Sequence, residues 1–228
     1  MLYIVPTPIG NLKDITLRAL ETLKEVDAII CEDTRRTAQL LNHYQIQKPL
    51  LVLNDYNEAQ SIRIIVDRLK CSQNLALVSD AGTPLISDPG YKLVRECINL
   101  GLEVDSLPGP SSVITSLTLS GLPPDKFMFL GYPPEKSGQR LNLLKNLRSH
   151  IECGKLNATV IFFVSPYKLR TDLSDMKEIF GDIEVILAKE LTKIHQSVKK
   201  QAISKWLEDL NTPAGGPKGE YILLFHLQ

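Results

Sequence analysis

No apolar run in this chain approaches the roughly eighteen residues that a membrane-spanning helix requires, and no basic stretch leading into an apolar one opens it. A soluble, cytoplasmic protein is the expectation. Cysteine is sparse: Cys31, Cys71, Cys97 and Cys153 show neither a CxxC pair nor zinc-ligand spacing, so the thiols read as reduced and buried rather than as staples. Aromatic residues make up 6% of the sequence, and the single Trp206, set at helical spacing, reads as core or surface anchor rather than a stacking platform. Net charge is zero, which argues against a general nucleic-acid coat. GxSxG, a Cys beside a His, and HExxH are all missing, and His43, His150, His195 and His226 are scattered, so no metal site is expected. The glycine-rich Thr212–Gly219 fits neither GxxxxGK[ST] nor GxGxxG and reads as a hairpin turn.

What is present is an alternation of short apolar runs and helical stripes, with 43% apolar residues, enough for a real core. Strands are expected at Leu2–Val5, Ala28–Cys31, Leu50–Leu53, Leu75–Val78 and Glu103–Leu107, then at Phe127–Leu130, Ala158–Val164, Ile183–Ala188 and Tyr221–Leu227. Leu17, Leu20 and Leu23 suggest one helix face after Asp14 or Thr16 as cap; Ile62, Ile65, Val66 and Leu69 suggest another, and Gly101 suits the αL end of a helix over Tyr91–Leu100. Strands alternating with helices imply βαβ units and a parallel sheet. Two proline clusters bracketing a short helix, Pro108–Ser112 and Gly121–Asp125, place a domain boundary near Leu122, giving an α/β domain over 1–122 and a second over 123–228.

Several strands end in polar loops on one edge. The richest is Val78–Gly90, VSDAGTPLISDPG, with two Asp, two Gly and two Pro. Ligands of open α/β sheets bind outside the carboxyl ends of strands, so chemistry is expected there. Gly82 would let the backbone approach a ligand, and Asp88 reads as the cap of the next helix. Charge divides unevenly: residues 1–125 hold 11 Lys and Arg against 15 Asp and Glu, and residues 126–228 hold 15 against 11. Within the second half, Lys136, Arg140, Lys145 and Arg148 lie in an acid-free stretch, the candidate phosphate-binding face.

Three blocks carry a resemblance: Pro6–Arg35 (PTPIGNLKDITLRALETLKEVDAIICEDTR), Ala76–Val94 (ALVSDAGTPLISDPGYKLV) and Leu107–Pro123 (LPGPSSVITSLTLSGLP). In this order they resemble the ribosomal RNA small subunit methyltransferase I family of the tetrapyrrole methylase superfamily. The resemblance is close to about Gly138 and looser through SPYKL, KELTK and KGEYILL. It implies two α/β domains, an N-terminal parallel sheet and a C-terminal mixed one, with S-adenosylmethionine in the cleft between them, and a homodimer. It further implies methylation of the ribose 2′-oxygen of a cytidine in the decoding region of 16S rRNA, on the small ribosomal subunit. Carried over by position, the cofactor would lie against Pro8, Asp80, Gly82, Ile86, Ser112, Phe163 and Leu191.

Asp33, Arg35, Lys189 and Glu190, at strand exits, are the candidates for substrate contact, and the residue that takes the proton is left open. The family carries LHEHNE and ESPHRL where this chain has LNDYNE and VSPYKL, so Asn54, Tyr56, Val164 and Tyr167 replace ionisable groups expected to face the cleft. Two other functions fit the inventory: methylation of a tetrapyrrole such as a corrin precursor, or cofactor binding by a protein with a degenerate substrate site.

Overall fold

The computed structural model describes residues 1–54, 58–211 and 217–227. It divides into two compact units, Met1–Ser111 and Ser112–Gln228. The helix that follows the first proline cluster therefore groups with the second unit.

The first unit is one all-parallel sheet of β1 (Leu2–Ile4), β2 (Ala28–Cys31), β3 (Leu50–Val52), β4 (Leu75–Leu77) and β5 (Val104–Ser106), in the order β3-β2-β4-β1-β5. Helices α1 (Leu17–Glu25), α2 (Thr34–His43), α3 (Glu58–Lys70) and α4 (Tyr91–Asn99) cover it. Strand residues of alternating parity face opposite ways, and both faces are buried, which is why the strands read as continuous apolar runs. Leu2, Ala28, Ile30, Leu75 and Leu77 pack with Ile65, Val66 and Leu69 of α3 and Leu93 and Cys97 of α4. Ile29, Cys31 and Ala76 pack with Ala19 and Leu23 of α1 and Leu41 of α2. Right-handed crossovers require this division: the chain steps one way across the sheet through α1 and α2, and back the other way through α3 and α4. β1 and β4 are neighbours whose connections leave in opposite directions, so the sheet's switch point lies at their carboxyl ends.

α1 buries a different set of residues from the one its leucines suggest. Leu17 is 79% exposed, and the buried residues are Ala19, Thr22 and Leu23. Positions i and i+6 are about 120° apart on a helix, so Leu17 and Leu23 cannot share a narrow face, whereas i, i+3 and i+4 do. Thr16, rather than Asp14, is the cap, its Oγ1 accepting from the Ala19 N–H at 3.1 Å. Gly101 ends α4 as expected, with φ 68° and the Leu102 N–H returning to the Cys97 carbonyl at 2.9 Å.

The second unit holds a mixed sheet of β6 (Phe127–Phe129), β7 (Thr159–Val164), β8 (Glu184–Lys189), β9 (Ser197–Ala202) and β10 (Tyr221–Phe225), ordered β6-β7-β10-β8-β9. Among the described residues β6 and β7 alone are parallel neighbours; β10 runs antiparallel to both β7 and β8, and β9 antiparallel to β8. Its helices are α5 (Ser112–Ser120), α6 (Ser137–Glu152), α7 (Leu169–Phe180) and α8 (Ile203–Asp209). Phe162, Leu223 and Phe225 of the sheet pack on Leu144 and Leu147 of α6 and Leu173 and Met176 of α7. Trp206 packs against this core and donates its indole N–H to the Val185 carbonyl at 3.3 Å. The glycine-rich segment expected as a hairpin turn follows α8, and its residues 212–216 lie outside the described residues. No helix among the described residues is long and apolar enough to cross a membrane.

Candidate functional site

Three loops are fastened together at the switch point of the first sheet. Thr7, after β1, and Gly82, after β4, exchange two backbone hydrogen bonds of 2.9 and 3.0 Å. The Thr7 hydroxyl donates to the Ser79 carbonyl at 3.2 Å, and the Thr83 hydroxyl donates to the Pro110 carbonyl, in the loop after β5, at 2.9 Å. Both backbone groups of Gly82 are thus engaged. With φ at +82°, a Cβ there would sit 3.1 Å from Cγ2 of Ile9. The chain's own packing therefore already requires a glycine here.

The same loop holds two of the six non-glycine residues with positive φ among those described, Leu85 and Ser87, at 72° and 67°. Each such residue costs on the order of 1–3 kcal/mol and persists where surroundings over-determine it, which is common in ligand-binding loops. Pro8 is buried beside Thr7, and Ile86 is 43% exposed.

Asp80 carries the least satisfied polar atom of this edge. Its Oδ2 lies 3.3 Å from Nη1 of Arg36, while Oδ1 is buried without a hydrogen-bond partner in the structure. Burial raises its carboxyl above the ordinary range, against the opposing pull of Arg36. A buried oxygen left in this state is costly unless a donor reaches it.

Asp88, expected as a helix cap, has another place. Gly90 stands at the N-cap of α4, with φ 121° and no side-chain cap. The Asp88 carboxyl is pushed up to about 6, first by burial and then by Glu32 and Asp80, with the Ser79 hydroxyl bond opposing. The folded-state value lies above the unfolded one, so stability is fully present below about pH 4 and lost as pH rises through about 6. Asp88→Asn is expected to melt at a higher temperature than the wild type at pH 8, with the gap closing by pH 4, in scanning calorimetry. An equal gap at both pH values would show that the carboxyl is not strained by ionisation.

The other candidates are tied into the scaffold. Asp33 is the N-cap of α2: its Oδ1 accepts from the Arg35 N–H at 2.8 Å, and the Arg35 guanidinium closes on it at 2.8 and 3.1 Å. That pairing holds the Asp33 carboxyl down at about 2. In the second unit, Glu190 has φ 48°, and its Oε1 accepts from the Glu220 N–H at 2.8 Å and from Lys193 Nζ at 3.0 Å. These contacts, the backbone one foremost, hold its carboxyl below the ordinary value. Lys189 lies over the Tyr221 ring, Nζ 5.5 Å from the centroid. Leu191 is 6% exposed, Phe163 is half-buried near the exit of β7, and Ser112 opens α5.

The structure therefore gathers Pro8, Asp80, Gly82 and Ile86 at one edge of the first sheet. Phe163, Lys189, Glu190 and Leu191 share one edge of the second, since β7 and β8 run the same way. Arg36 and Asp88 belong with the first group and were missed. Among the substituted positions, Tyr167 is 91% exposed, but Val164 is 3% exposed in the second core rather than on a polar rim. Asn54 follows β3, and Tyr56 is outside the described residues.

The basic face also changes. Arg140 is 3% exposed, bound to Asp172 at 3.4 Å and Asp175 at 2.6 Å, and its Nη1 donates to the Pro134 and Glu135 carbonyls at 2.9 and 3.1 Å. Arg148 pairs with Glu152 at 2.6 Å and donates to the Ile179 carbonyl. Arg140 is therefore not available as a phosphate ligand, whereas the Arg148 side chain is still half exposed. Lys136 and Lys145 remain exposed on that stretch.

Residues 1–205 match the family model for tetrapyrrole (corrin/porphyrin) methylases, and the two-sheet fold agrees: a crystal structure of diphthine synthase superimposes with a TM-score of 0.74 at 18% identity, over 99% of this chain and 89% of that one. The sequence defines the family more narrowly. The ribosomal RNA small subunit methyltransferase I of Vibrio cholerae is 46% identical, covering 99% of this chain and 77% of that protein, and its Thermotoga maritima counterpart is 50% identical over 90% and 89%. The chain belongs to the ribosomal RNA small subunit methyltransferase I family.

Proposed function

We propose that the protein transfers a methyl group from S-adenosylmethionine to the ribose 2′-oxygen of a cytidine in the decoding region of 16S rRNA, acting in the cytoplasm as a homodimer on the small ribosomal subunit. The observation that carries this reading is the identity of 46–50% to proteins named for methylation of small-subunit RNA, extending over nearly the whole chain. The site chemistry supports it. A ligand with an ammonium and a sulfonium group suits the buried, unpartnered Oδ1 of Asp80. Pro8, Gly82, Ile86, Ser112, Phe163 and Leu191 would hold the remainder of the cofactor.

When bound, the cofactor supplies an electrophilic methyl group. What the protein contributes is orientation of the ribose and a place for the hydroxyl proton. Of the carboxyls at this edge, Asp88 suits the second of these: it lies beside Asp80 on the central loop, and burial pushes it up to about 6. Asp33, held at about 2 by Arg35, is a poor proton acceptor. Asp33, Arg35, Lys189 and Glu190 are assigned to shaping the rims against which RNA lies.

The test uses small subunits from cells lacking this methylation and labelled cofactor, with ribose methylation read by mass spectrometry. Incorporation at one cytidine of 16S rRNA is expected; cofactor binding without methylation of any ribose would refute the reading. In parallel, Asp80→Ala is expected to weaken cofactor binding at least tenfold in calorimetry, about 1.4 kcal/mol. Affinity within threefold of wild type would remove Asp80 from the site.

A further inference from the structure

Three of the chain's fourteen aromatic residues, Phe129, Tyr132 and Phe163, meet at one place in the second unit. β6 and β7 are parallel neighbours with Phe129 opposite Ile161, so Phe129 and Phe163 both lie toward the carboxyl ends of their strands. Their ring centroids are 4.7 Å apart at 64°, and the Tyr132 ring lies 5.5 Å from Phe163 at 60°. Tyr132 is the outer ring, 58% exposed.

An exposed tyrosine on a loop is ordinary; one whose loop is fixed at both ends is less so. At one end, Gly131 takes φ 65° and its carbonyl accepts from the Phe163 N–H at 2.9 Å. At the other, the carbonyls of Pro134 and Glu135 are held by the buried Arg140, itself locked between Asp172 and Asp175. A large ring presented on a fixed loop binds a flat partner at little cost in conformational entropy. Stacking of an unpaired base on such a ring contributes about 1–3 kcal/mol, whatever the base.

The charge along the sequence on either side of the loop favours a polyanion. From Lys126 to Arg148 the sequence has a single acid, Glu135, and Lys136 and Lys145 are exposed. S-adenosylmethionine carries no phosphate for such lysines to meet, whereas RNA does. We propose that Tyr132, backed by Phe163 and fixed through Arg140, is a stacking residue for an unpaired base of the RNA substrate; this rests on the reading of the protein as an RNA methyltransferase.

Tyr132→Ala and Tyr132→Phe test it, with steady-state methylation of small subunits and cofactor affinity measured on each. Tyr132→Ala is expected to raise KM for the subunit at least fivefold, with kcat and cofactor affinity unchanged within twofold, and Tyr132→Phe, which keeps the ring, to restore KM. A merely structural role would not give that split. KM within twofold of wild type in Tyr132→Ala overturns the proposal. So does loss of cofactor affinity with KM for RNA unmoved, which would assign the ring to the cofactor's adenine. A second arm reads binding alone, from the fluorescence quenching of a single-stranded RNA decamer containing 2-aminopurine. Should the wild type methylate no RNA, the functional reading falls, and this arm decides the inference. Binding at least fivefold weaker in Tyr132→Ala sustains it, and equal binding overturns it.

Discussion

Replacing Arg140 by Ala is expected to destabilise the protein by about 3–5 kcal/mol, because it removes one partner of a buried ion pair and leaves the other charged. The guanidinium is engaged by Asp172, Asp175 and two carbonyls, and Asp172 is itself buried. α6, α7 and the loop after β6 would lose their common tie. For a chain of this size the loss corresponds to a drop in melting temperature of about 6–20 °C. The pH dependence gives the cause. Burial pushes the Asp172 carboxyl up to about 6 while Arg140 pulls it down, so deleting Arg140 raises it further. A carboxyl with a raised folded-state value contributes stability below the unfolded value, near 4, and loses it as pH rises through the folded value. The deficit of Arg140→Ala should therefore be larger at pH 8 than at pH 5 in urea titrations. A loss under about 1 kcal/mol, or one independent of pH, would mean the pair is not closed in solution.

Arg140 also shows what the sequence could and could not disclose. The stretch from Lys136 to Arg148 holds no acid, so counting charges along the chain marks Arg140 as a free cation, and its partners lie on α7, more than thirty residues away. A signal was nevertheless present: Arg140, Leu144 and Leu147 follow i, i+4, i+7, which places the arginine on the buried stripe of α6. The parallel sheet was legible because strands buried on both faces are continuous apolar runs ending in polar loops. β9 was not, since SVKKQA is an edge strand with two exposed lysines, and it pairs only with β8. α2 was missed for a related reason: only Thr37 and Leu41 of its ten residues are buried, too thin a stripe to detect.

The candidate site divides the same way. Position in the sheet follows from strand order, so the loops after β1 and β4 could be expected to meet the ligand. Roles within the loops depend on partners far along the chain. Asp33 and Arg35 satisfy each other, Glu190 fastens the Glu220 backbone, and Asp88 lies among acids rather than at a helix end. A local reading of DPG as a helix start had no means of seeing Glu32 or Asp80 beside it.

Gly82→Val should disable the site by altering the fold around it. At φ +82° any side chain is strained, by about 1–3 kcal/mol, and a β-branched one more than most. The new Cβ would meet Ile9 Cγ2 at 3.1 Å, and the added methyls crowd a residue that is 7% exposed, worth a further 1–3 kcal/mol or so of overpacking. Relief requires the loop after β4 to move away from the loop after β1, which breaks the Thr7–Gly82 bridge and shifts Asp80. Gly101→Val is the control: its φ is +68°, but no atom lies within 4 Å of its Cβ position, so it carries the backbone penalty without the clash. Gly82→Val is expected to lose more stability than Gly101→Val, to expose the Thr7 amide to hydrogen exchange, and to weaken cofactor binding at least tenfold. Gly101→Val should bind as the wild type does. Equal losses of stability in the two variants, with cofactor affinity kept within threefold in Gly82→Val, would show that the bridge neither orders the central loop nor serves the ligand.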